Sequence, residues 1–295
     1  MTCSATIAGR AGERSPTPAG WIANIATISS RELRESVGSR WFLLYTAAFA
    51  ALGLGVSYIS AASAGGLGLS GFGRTTAGLV NLVLLVVPLM SLTAGAGSIA
   101  SDRERGMLAY LLAQPVARWE VLVGKYLGLA GALAACISLG LGACAAVLAI
   151  KGESTNPASI AWLAGLSFGL ALAMLSVGML VSVLARKASV AVGTAVFLWL
   201  VLVFVTDLGL MAGALAFRIR IEQLFFISLA NPLQVFKMWS LHAVEASLDV
   251  LGPAGLYATD TYGAKLNAMF AASLAVWSIL PLVVAGFVFS RRSAS

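Results

Sequence analysis

The sequence has few charged residues for its length. Only 11% of its 295 residues are Asp, Glu, Lys or Arg, whereas 59% are hydrophobic and the mean hydropathy is +0.92. Soluble domains carry about 25% charged residues, so this composition excludes an ordinary soluble domain and indicates an integral membrane protein. The net charge of +7 does not indicate nucleic-acid binding, because the charges cluster beside apolar segments and form no basic face.

Cysteine and histidine are also scarce, which argues against several kinds of site. The three cysteines are Cys3, Cys136 and Cys144, and on a helix the last two lie about 12 Å apart, too far for a disulfide. With one histidine, the sequence has no Cys/His metal cluster and little material for histidine-based catalysis. It also lacks the G-x-x-x-x-G-K-[ST] phosphate-binding loop. We therefore expect no enzymatic activity, no metal site and no cofactor bound by this chain.

Six long apolar segments account for most of the chain. They cover roughly 41–62, 78–100, 121–150, 160–184, 188–214 and 268–290, and each is near or above the ~20 residues that cross ~30 Å of hydrocarbon. We expect an all-α integral membrane protein with six transmembrane helices in one domain, 41–295. Residues 1–20 predict a disordered tail and hold no apolar signal-peptide core. Residues 21–40 predict an amphipathic helix that lies on the membrane lipids.

The basic residues predict the orientation of these segments. Most of the 19 Lys and Arg residues lie on the side that holds the N-terminus, and basic loops stay in the cytosol. The residues on that side are Arg10, Arg14, Arg31, Arg34, Arg40, Arg103, Arg105, Arg118, Lys125, Arg186, Lys187, Arg291 and Arg292. We therefore expect both termini in the cytosol, in a multi-pass protein of the bacterial inner membrane.

The segment 215–267 is predicted to be the largest piece on the external side. It alternates charged residues with apolar clusters, which predicts short helices that dip into or rest on the outer leaflet. We also expect it to contact an external partner through apolar residues with a polar rim. The candidate contact residues are Leu248, Asp249, Leu251, Tyr257 and Asp260. The alternative is a lid that only closes the outer mouth of a dimer.

Two further polar features each have a functional and a structural interpretation. Asp207 is the only acidic residue well inside a predicted span, which indicates a proton relay, a cation site or a helix contact. The alternative is a carboxyl near the outer end of the span that is protonated or hydrogen-bonded to a neighbouring helix. Met238 and His242 stand one helical turn apart, as a soft-metal pair would, although methionine beside apolar residues usually packs.

A charged island between the second and third apolar segments is the most informative stretch. It runs from Asp102 to Lys125 as D-R-E-R-G-M-L-A-Y-L-L-A-Q-P-V-A-R-W-E-V-L-V-G-K. It must lie at a membrane surface, because charges inside hydrocarbon cost several kcal/mol each. Leucines at i, i+3 and i+4 form one apolar stripe of a short helix, and a proline ends it. Such a helix is an element that a soluble partner can push on. The alternative is a solvated loop with an incidental stripe.

This island resembles the first cytosolic loop of type-2 ABC-exporter permeases, approximately E-x-G-T-L-x-L-L-L-x-x-P-[VIL]-x-R-x-x-[VIL]-x-x-G-K. The matching residues are Glu104, Gly106, Leu108, Leu111, Leu112, Pro115, Val116, Arg118, Val121, Gly124 and Lys125, while Met107 replaces the usual threonine. In that family the loop forms a coupling helix that docks on a separate ATPase. The resemblance implies that this stretch, with Arg105, couples to ATPase subunits that bind ATP and Mg²⁺. Glu104 and Arg118 would make polar contacts around the leucine stripe, and a second copy would complete the membrane part.

Further stretches resemble one branch of that family, the permeases of transporters that mature nitrous oxide reductase. They are R-E-L-R-E-S-V-G-S-R-W at 31–41, F-V-T-D-L at 204–208, N-P-L-Q-V-F-K at 231–237 and the closing F-S-R-R. The branch works with an ATPase and a periplasmic β-helical protein in copper-site assembly. The resemblance implies movement of a sulfur or copper species, or transmission of motion to the external partner. Two alternatives stay open: a generic drug or lipid exporter permease, and a proton-coupled secondary transporter that uses Asp207.

Overall fold

The computed structural model of the chain describes residues 18–63, 71–114, 116–150, 157–216, 221–243 and 263–291. All regular structure in these ranges is helical, which confirms the predicted all-α class. The helices are α1 (Pro18–Val37), α2 (Arg40–Ser63), α3 (Gly71–Glu104), α4 (Met107–Leu112), α5 (Arg118–Ile150), α6 (Pro157–Leu184), α7 (Ala188–Ala216), α8 (Ile221–Leu229), α9 (Pro232–Ala243) and α10 (Leu266–Arg291), with a 3₁₀ turn at Gly263–Lys265.

Five of these helices are long and apolar enough to cross a membrane. The stretches are Arg40–Tyr58, Ala77–Glu104, Arg118–Ile150, Ala158–Leu184 and Leu266–Arg291, in agreement with five of the predicted spans. The remaining predicted span, 188–214, corresponds to α7. The described apolar side chains of α7 run only from Ala188 to Phe204. A sixth crossing therefore stays a prediction.

The contact between α3 and α6 is the largest in the bundle. Both helices are apolar on nearly every face, and the contact buries side chains such as Leu92 and Ile99 completely. Gly95 and Gly178 allow the two backbones to meet, because a Cβ on Gly95 would lie 2.7 Å from the Leu175 carbonyl oxygen. Around this centre, α7 packs on α3, α10 packs on α6, and α5 packs on α2 and α6.

The short helices α8 and α9 precede the last span, as the sequence predicted. Asn231 caps the N-terminus of α9. Its Oδ1 accepts a hydrogen bond from the Leu233 N–H at 3.1 Å, and Pro232 takes the first helical position. Its Nδ2 donates to the Leu202 carbonyl oxygen of α7 at 3.0 Å. Phe236 is fully buried, and α9 contacts α3, α6 and α10. α9 therefore packs among the long helices, and its position relative to the outer leaflet stays a prediction.

The helix α1 begins inside the predicted tail and has a protein partner. It starts at Pro18, whereas the tail was predicted to extend to residue 20, and residues 1–17 lie outside the described part. Its main contact is with the first part of α5. The amphipathic pattern that predicted a helix on the membrane surface therefore also serves a helix–helix contact.

Candidate coupling site

The charged island begins as the last turn of α3 and then reverses into α4. The second span was predicted to end at residue 100, whereas α3 continues to Glu104. Gly106 then makes the turn with φ of 73°, a left-handed conformation that favours glycine. Pro115, which was predicted to end the short helix, lies outside the described residues, and α4 ends at Leu112. The island thus places one short helix between the ends of two long ones.

The leucine stripe of α4 points into this chain. Leu108 is 3% exposed and belongs to the main hydrophobic core, and Leu112 packs against the same core. Leu111 is half-buried. The outward side carries Met107 and Tyr110, which are 38% and 66% exposed. A partner that contacts α4 therefore meets an exposed methionine and tyrosine, where the sequence pattern had suggested the leucines.

Two charges at the end of α3 bind both sides of the α6–α7 turn. Arg103 Nη1 donates to the Ala185 carbonyl oxygen at 2.5 Å, just after α6 ends. Glu104 Oε2 accepts a hydrogen bond from the Ala188 N–H at 3.1 Å, where α7 begins. Each charge complements the partial charge of the helix end that it contacts, the cation at a C-terminus and the carboxylate at an N-terminus. The end of α3 therefore fixes the turn that joins α6 to α7.

The start of α5 makes similar contacts with α10 and α1. Arg118 Nη1 donates to the Phe289 carbonyl oxygen at 3.0 Å, close to the C-terminus of α10, and its guanidinium lies 6.0 Å from the Phe289 ring. Glu120 is 2% exposed and accepts hydrogen bonds from the Asn24 side-chain amide at 3.1 Å and the Ala117 N–H at 3.3 Å. The first turn of α5 is therefore tied to two other helices.

A buried ion triad joins α1, α3 and α5. Lys125 Nζ lies 2.7 Å from Glu32 Oε2 and 2.8 Å from Asp102 Oδ2, and Lys125 is 4% exposed. Burial raises the pKa of the Glu32 carboxyl, and the Lys125 ammonium acts in the opposite direction. On the exposed side of α1, Arg31 donates a hydrogen bond to Glu35, one helical turn later, and this bond raises the pKa of Arg31. Because buried charges need partners, the triad fixes the three helices relative to one another.

Glycines of α5 set the register of its contact with α1. A Cβ on Gly124 would lie 2.8 Å from the Ile28 Cβ, and one on Gly128 would lie 2.6 Å from the Glu32 Cβ. The contact of Asn24 with α5 lies one helical turn before these. The contacts therefore repeat at every fourth residue of both helices and in the same chain direction, as in packing along i, i+4 ridges. The small-residue pair in α5 thus serves a defined contact.

A small cavity beside the triad is lined by residues of both α1 and α4. Its volume is about 130 Å³, and its lining combines charged residues with the end of the short helix. The lining residues are Thr27, Ile28, Arg31, Glu32, Glu35, Asp102, Leu111, Gln114 and Lys125. α4, which is expected to receive a partner, and α1 therefore border the same polar cavity.

The predicted coupling residues include three whose partners the sequence did not suggest: Glu104, Arg118 and Lys125. Glu104 and Arg118 were expected to contact an ATPase, and in the structure both contact helix ends of this chain. The contacts of Glu32 with Lys125 and of Glu120 with Asn24 were missed because each joins residues that are far apart in the sequence. The available signal was Lys125 itself, since a lysine inside an apolar run needs a counter-charge.

Other candidate residues lie outside the described part or in the apolar core. α7 includes Asp207, whose side chain is not among those described. The candidate external contact residues are not described either: Leu248, Asp249, Leu251, Tyr257 and Asp260. Met238 is buried in a cluster with Phe225 and Phe270, which supports its packing interpretation, and His242 is half-buried. Within the described ranges, no group of three or more His, Cys, Asp and Glu residues could hold a metal ion.

Comparison with known proteins agrees with this architecture. The sequence model described as "ABC-2 family transporter protein" matches residues 26–294. The chain is 29% identical over 271 residues to the probable ABC transporter permease protein NosY of Stutzerimonas stutzeri, which covers 90% of this chain and 97% of the relative. It is 30% identical over 276 residues to the protein of the same description from Pseudomonas aeruginosa, which covers 90% of this chain and 98% of the relative.

These matches extend over the spans, the charged island and the short helices, so the resemblance first indicated by the island is confirmed along most of the chain. Several apolar helices of membrane-crossing length fit a multi-pass permease. The chain belongs to the ABC-2 family of transporter proteins, and within that family it is similar to NosY permeases.

Proposed function

We propose that two copies of this chain form the membrane part of an ABC transporter complex, and that separate ATPase subunits drive it. ABC-2 permeases in general associate with ABC ATPases and with a second copy. The proposal adds that the ATPase contacts α4 from the cytosol, through the side that exposes Met107 and Tyr110. ATP and Mg²⁺ are bound by the ATPase, and the permease converts its motion into a change of the helix bundle.

The observation that carries this proposal is the connection of the island to other helix ends. Arg103 and Glu104 hold the α6–α7 turn, Arg118 holds the end of α10, and Lys125 holds α1. A displacement of α4 that moves the adjoining end of α3 and start of α5 therefore reaches four other helices through these hydrogen bonds and ion pairs. A loop that only connected two spans would not need these contacts.

We also propose six membrane crossings with both termini in the cytosol. The ends of α3, α6 and α10 and the starts of α5 and α7 meet at the island, which supports helices that alternate in direction. α7 has 29 residues and so is about 43 Å long, enough to cross ~30 Å of hydrocarbon. The basic residues of the island support a cytosolic position for this end.

The biological role that we propose is maturation of nitrous oxide reductase. Its support is the similarity to two NosY permeases over nearly their whole length. In this role the complex serves copper-site assembly, and the segment 215–267 contacts a periplasmic β-helical protein. Buried serines in the described spans, such as Ser91 and Ser167, donate to carbonyls of their own helix. They offer a charged cargo no obvious path, which favours transmission of motion to the external partner.

Co-purification tests the proposed complex. The tagged full-length chain is extracted from membranes in mild detergent, and its partners are identified by mass spectrometry. We expect an ABC ATPase and a periplasmic β-helical protein. Recovery of an ATPase without the β-helical protein would support a generic exporter permease instead, and recovery of no ABC ATPase would contradict the proposal.

A matched pair of tyrosine variants tests the docking surface. Tyr110→Ala should weaken ATPase binding by about tenfold or more, because truncating a central interface tyrosine costs on the order of 2 kcal/mol. Tyr58→Ala is the control, since Tyr58 is 61% exposed on α2, away from the island. Equal ATPase binding by both variants would show that the docking surface lies elsewhere.

A further inference from the structure

We propose that Glu32, Lys125 and Asp102 form a joint that makes α1 move as one body with α4. This inference deepens the proposed function and rests on it, since it supposes that an ATPase displaces α4. Lys125 is then a positioning residue: it need not contact the ATPase, and it acts by holding two carboxylates from different helices. With this joint, α1 moves with the rest of the permease and does not stay fixed at the membrane surface.

The position of the triad next to the attachment of α4 is the first support. Asp102 lies in the last turn of α3, and α4 begins at Met107 after the turn at Gly106. The cavity beside the triad is lined by Leu111 and by Lys125, so the last turn of α4 also lies close to the ion triad. A force on α4 therefore meets the triad before it reaches the middle of any span.

The charge arrangement gives the joint its stiffness. One buried ammonium is shared by two carboxylates, Glu32 from α1 and Asp102 from α3. If α3 and α4 moved while α1 stayed in place, one carboxylate would lose Lys125 and remain in a largely buried position. Breaking a buried pair on one side is strongly unfavourable, whereas moving all three helices together keeps both contacts.

The close packing of α1 on α5 limits other movements. The Cβ positions that Gly124 and Gly128 leave empty are filled by Ile28 and Glu32, so α1 cannot slide by one residue without a clash. The bond from Asn24 to Glu120 adds a second polar contact two turns away. Packing alone would hold α1 to α5, and the triad adds the connection to α3 and α4.

The experiment compares a neutral triad with a neutral surface pair. The neutral triad combines Glu32→Gln, Lys125→Met and Asp102→Asn, and it keeps the side-chain volumes so that the protein folds without buried charge. The neutral pair combines Arg31→Met and Glu35→Gln, which removes an exposed ion pair on the same helix that contributes little. Lys125→Arg keeps a cation at the joint and serves as the conservative variant.

Spin labels on α1 and α4 report whether the helices move together. They are placed at Ala26 of α1 and at Ala113, the capping residue directly after α4, which are both exposed, in the full-length permease with and without the ATPase and ATP. The wild type should give one narrow distance that ATP does not change, and Lys125→Arg and the neutral pair should match it. The neutral triad should broaden the distance even in the permease alone, and should lower stimulation of ATP hydrolysis by about tenfold.

The outcomes separate the joint from the proposed function. A neutral triad with a narrow distance, or with normal stimulation of ATP hydrolysis, would overturn the joint. A wild-type α1–α4 distance that changes when ATP binds would overturn it as well. If no ATPase associates with the wild type, the proposed function fails, while the distance in the permease alone still tests the joint.

Discussion

At the level of single residues, the charges of the island act mainly on helix ends. Every helix terminus leaves backbone N–H or C=O groups without intrahelical partners, and these groups need donors or acceptors. Arg103, Glu104 and Arg118 supply them to α6, α7 and α10. The sequence predicted that these charges lie at a membrane surface, between two spans. It gave no sign of their partners, because those helix ends come from segments far away in the chain.

A pair of glycine variants tests the residue contacts at the centre of the bundle. Gly95→Ala should lower the free energy of unfolding by about 1–3 kcal/mol, because its Cβ would meet the backbone of α6 and force overpacking. Gly97→Ala is the control, since a Cβ there meets nothing within 4 Å and alanine favours a helix. Thermal unfolding of the purified chain in detergent measures both.

Gly97→Ala should therefore match or slightly exceed the wild type in its unfolding midpoint. Equal midpoints for the two variants would show that the α3–α6 contact is looser than described. They would also contradict our description of the α3–α6 contact as a rigid centre on which the outer helices pack.

At the level of helices, apolar run length predicted the long elements well. The predicted segment 41–62 corresponds to α2, and 268–290 corresponds to α10, with ends that agree within about two residues. The largest extensions are at the two ends of α3, and at its second end Asp102, Arg103 and Glu104 find partners that a free loop would lack. The packing of α9 among the long helices could not be predicted, because it depends on distant contacts such as the bond between Asn231 and α7.

Cysteine labelling tests the predicted side of the segment 215–267. Cys3, Cys136 and Cys144 are first replaced by serine, and single cysteines are introduced at Ser247 or Thr259. Both should react with a membrane-impermeant maleimide in intact cells, because five preceding crossings place this segment outside. The periplasmic partner, when added, should protect them.

Arg105→Cys is the control on the opposite side, since Arg105 is exposed at the island and should react only after lysis. Reaction of Ser247→Cys and Thr259→Cys only after lysis would overturn the topology. Labelling from outside that the added partner does not reduce would support the topology and contradict the proposed contact with the partner.

At the level of the whole molecule, the permease is a helix bundle whose ends meet at one charged plate. The plate consists of α4 with the last turn of α3 and the first two turns of α5, and its contacts reach α1, α6, α7 and α10. Away from it, α9 is inserted among α3, α6 and α10. The family and the short helix of the island could be predicted from sequence, because the island has a specific pattern. The joint with α1 was not, because it depends on the packing of α1 against α5 in three dimensions.

The rate of ATP hydrolysis by purified components tests the central claim most directly. The rate is measured for the permease alone, for its ATPase alone, and for the reconstituted complex in lipid vesicles. We expect the permease alone to match a contaminant control, because the chain has no phosphate-binding loop, and we expect the complex to hydrolyse ATP at a rate different from that of the isolated ATPase. ATP hydrolysis by the permease alone, well above the control, would contradict a permease driven by a separate ATPase.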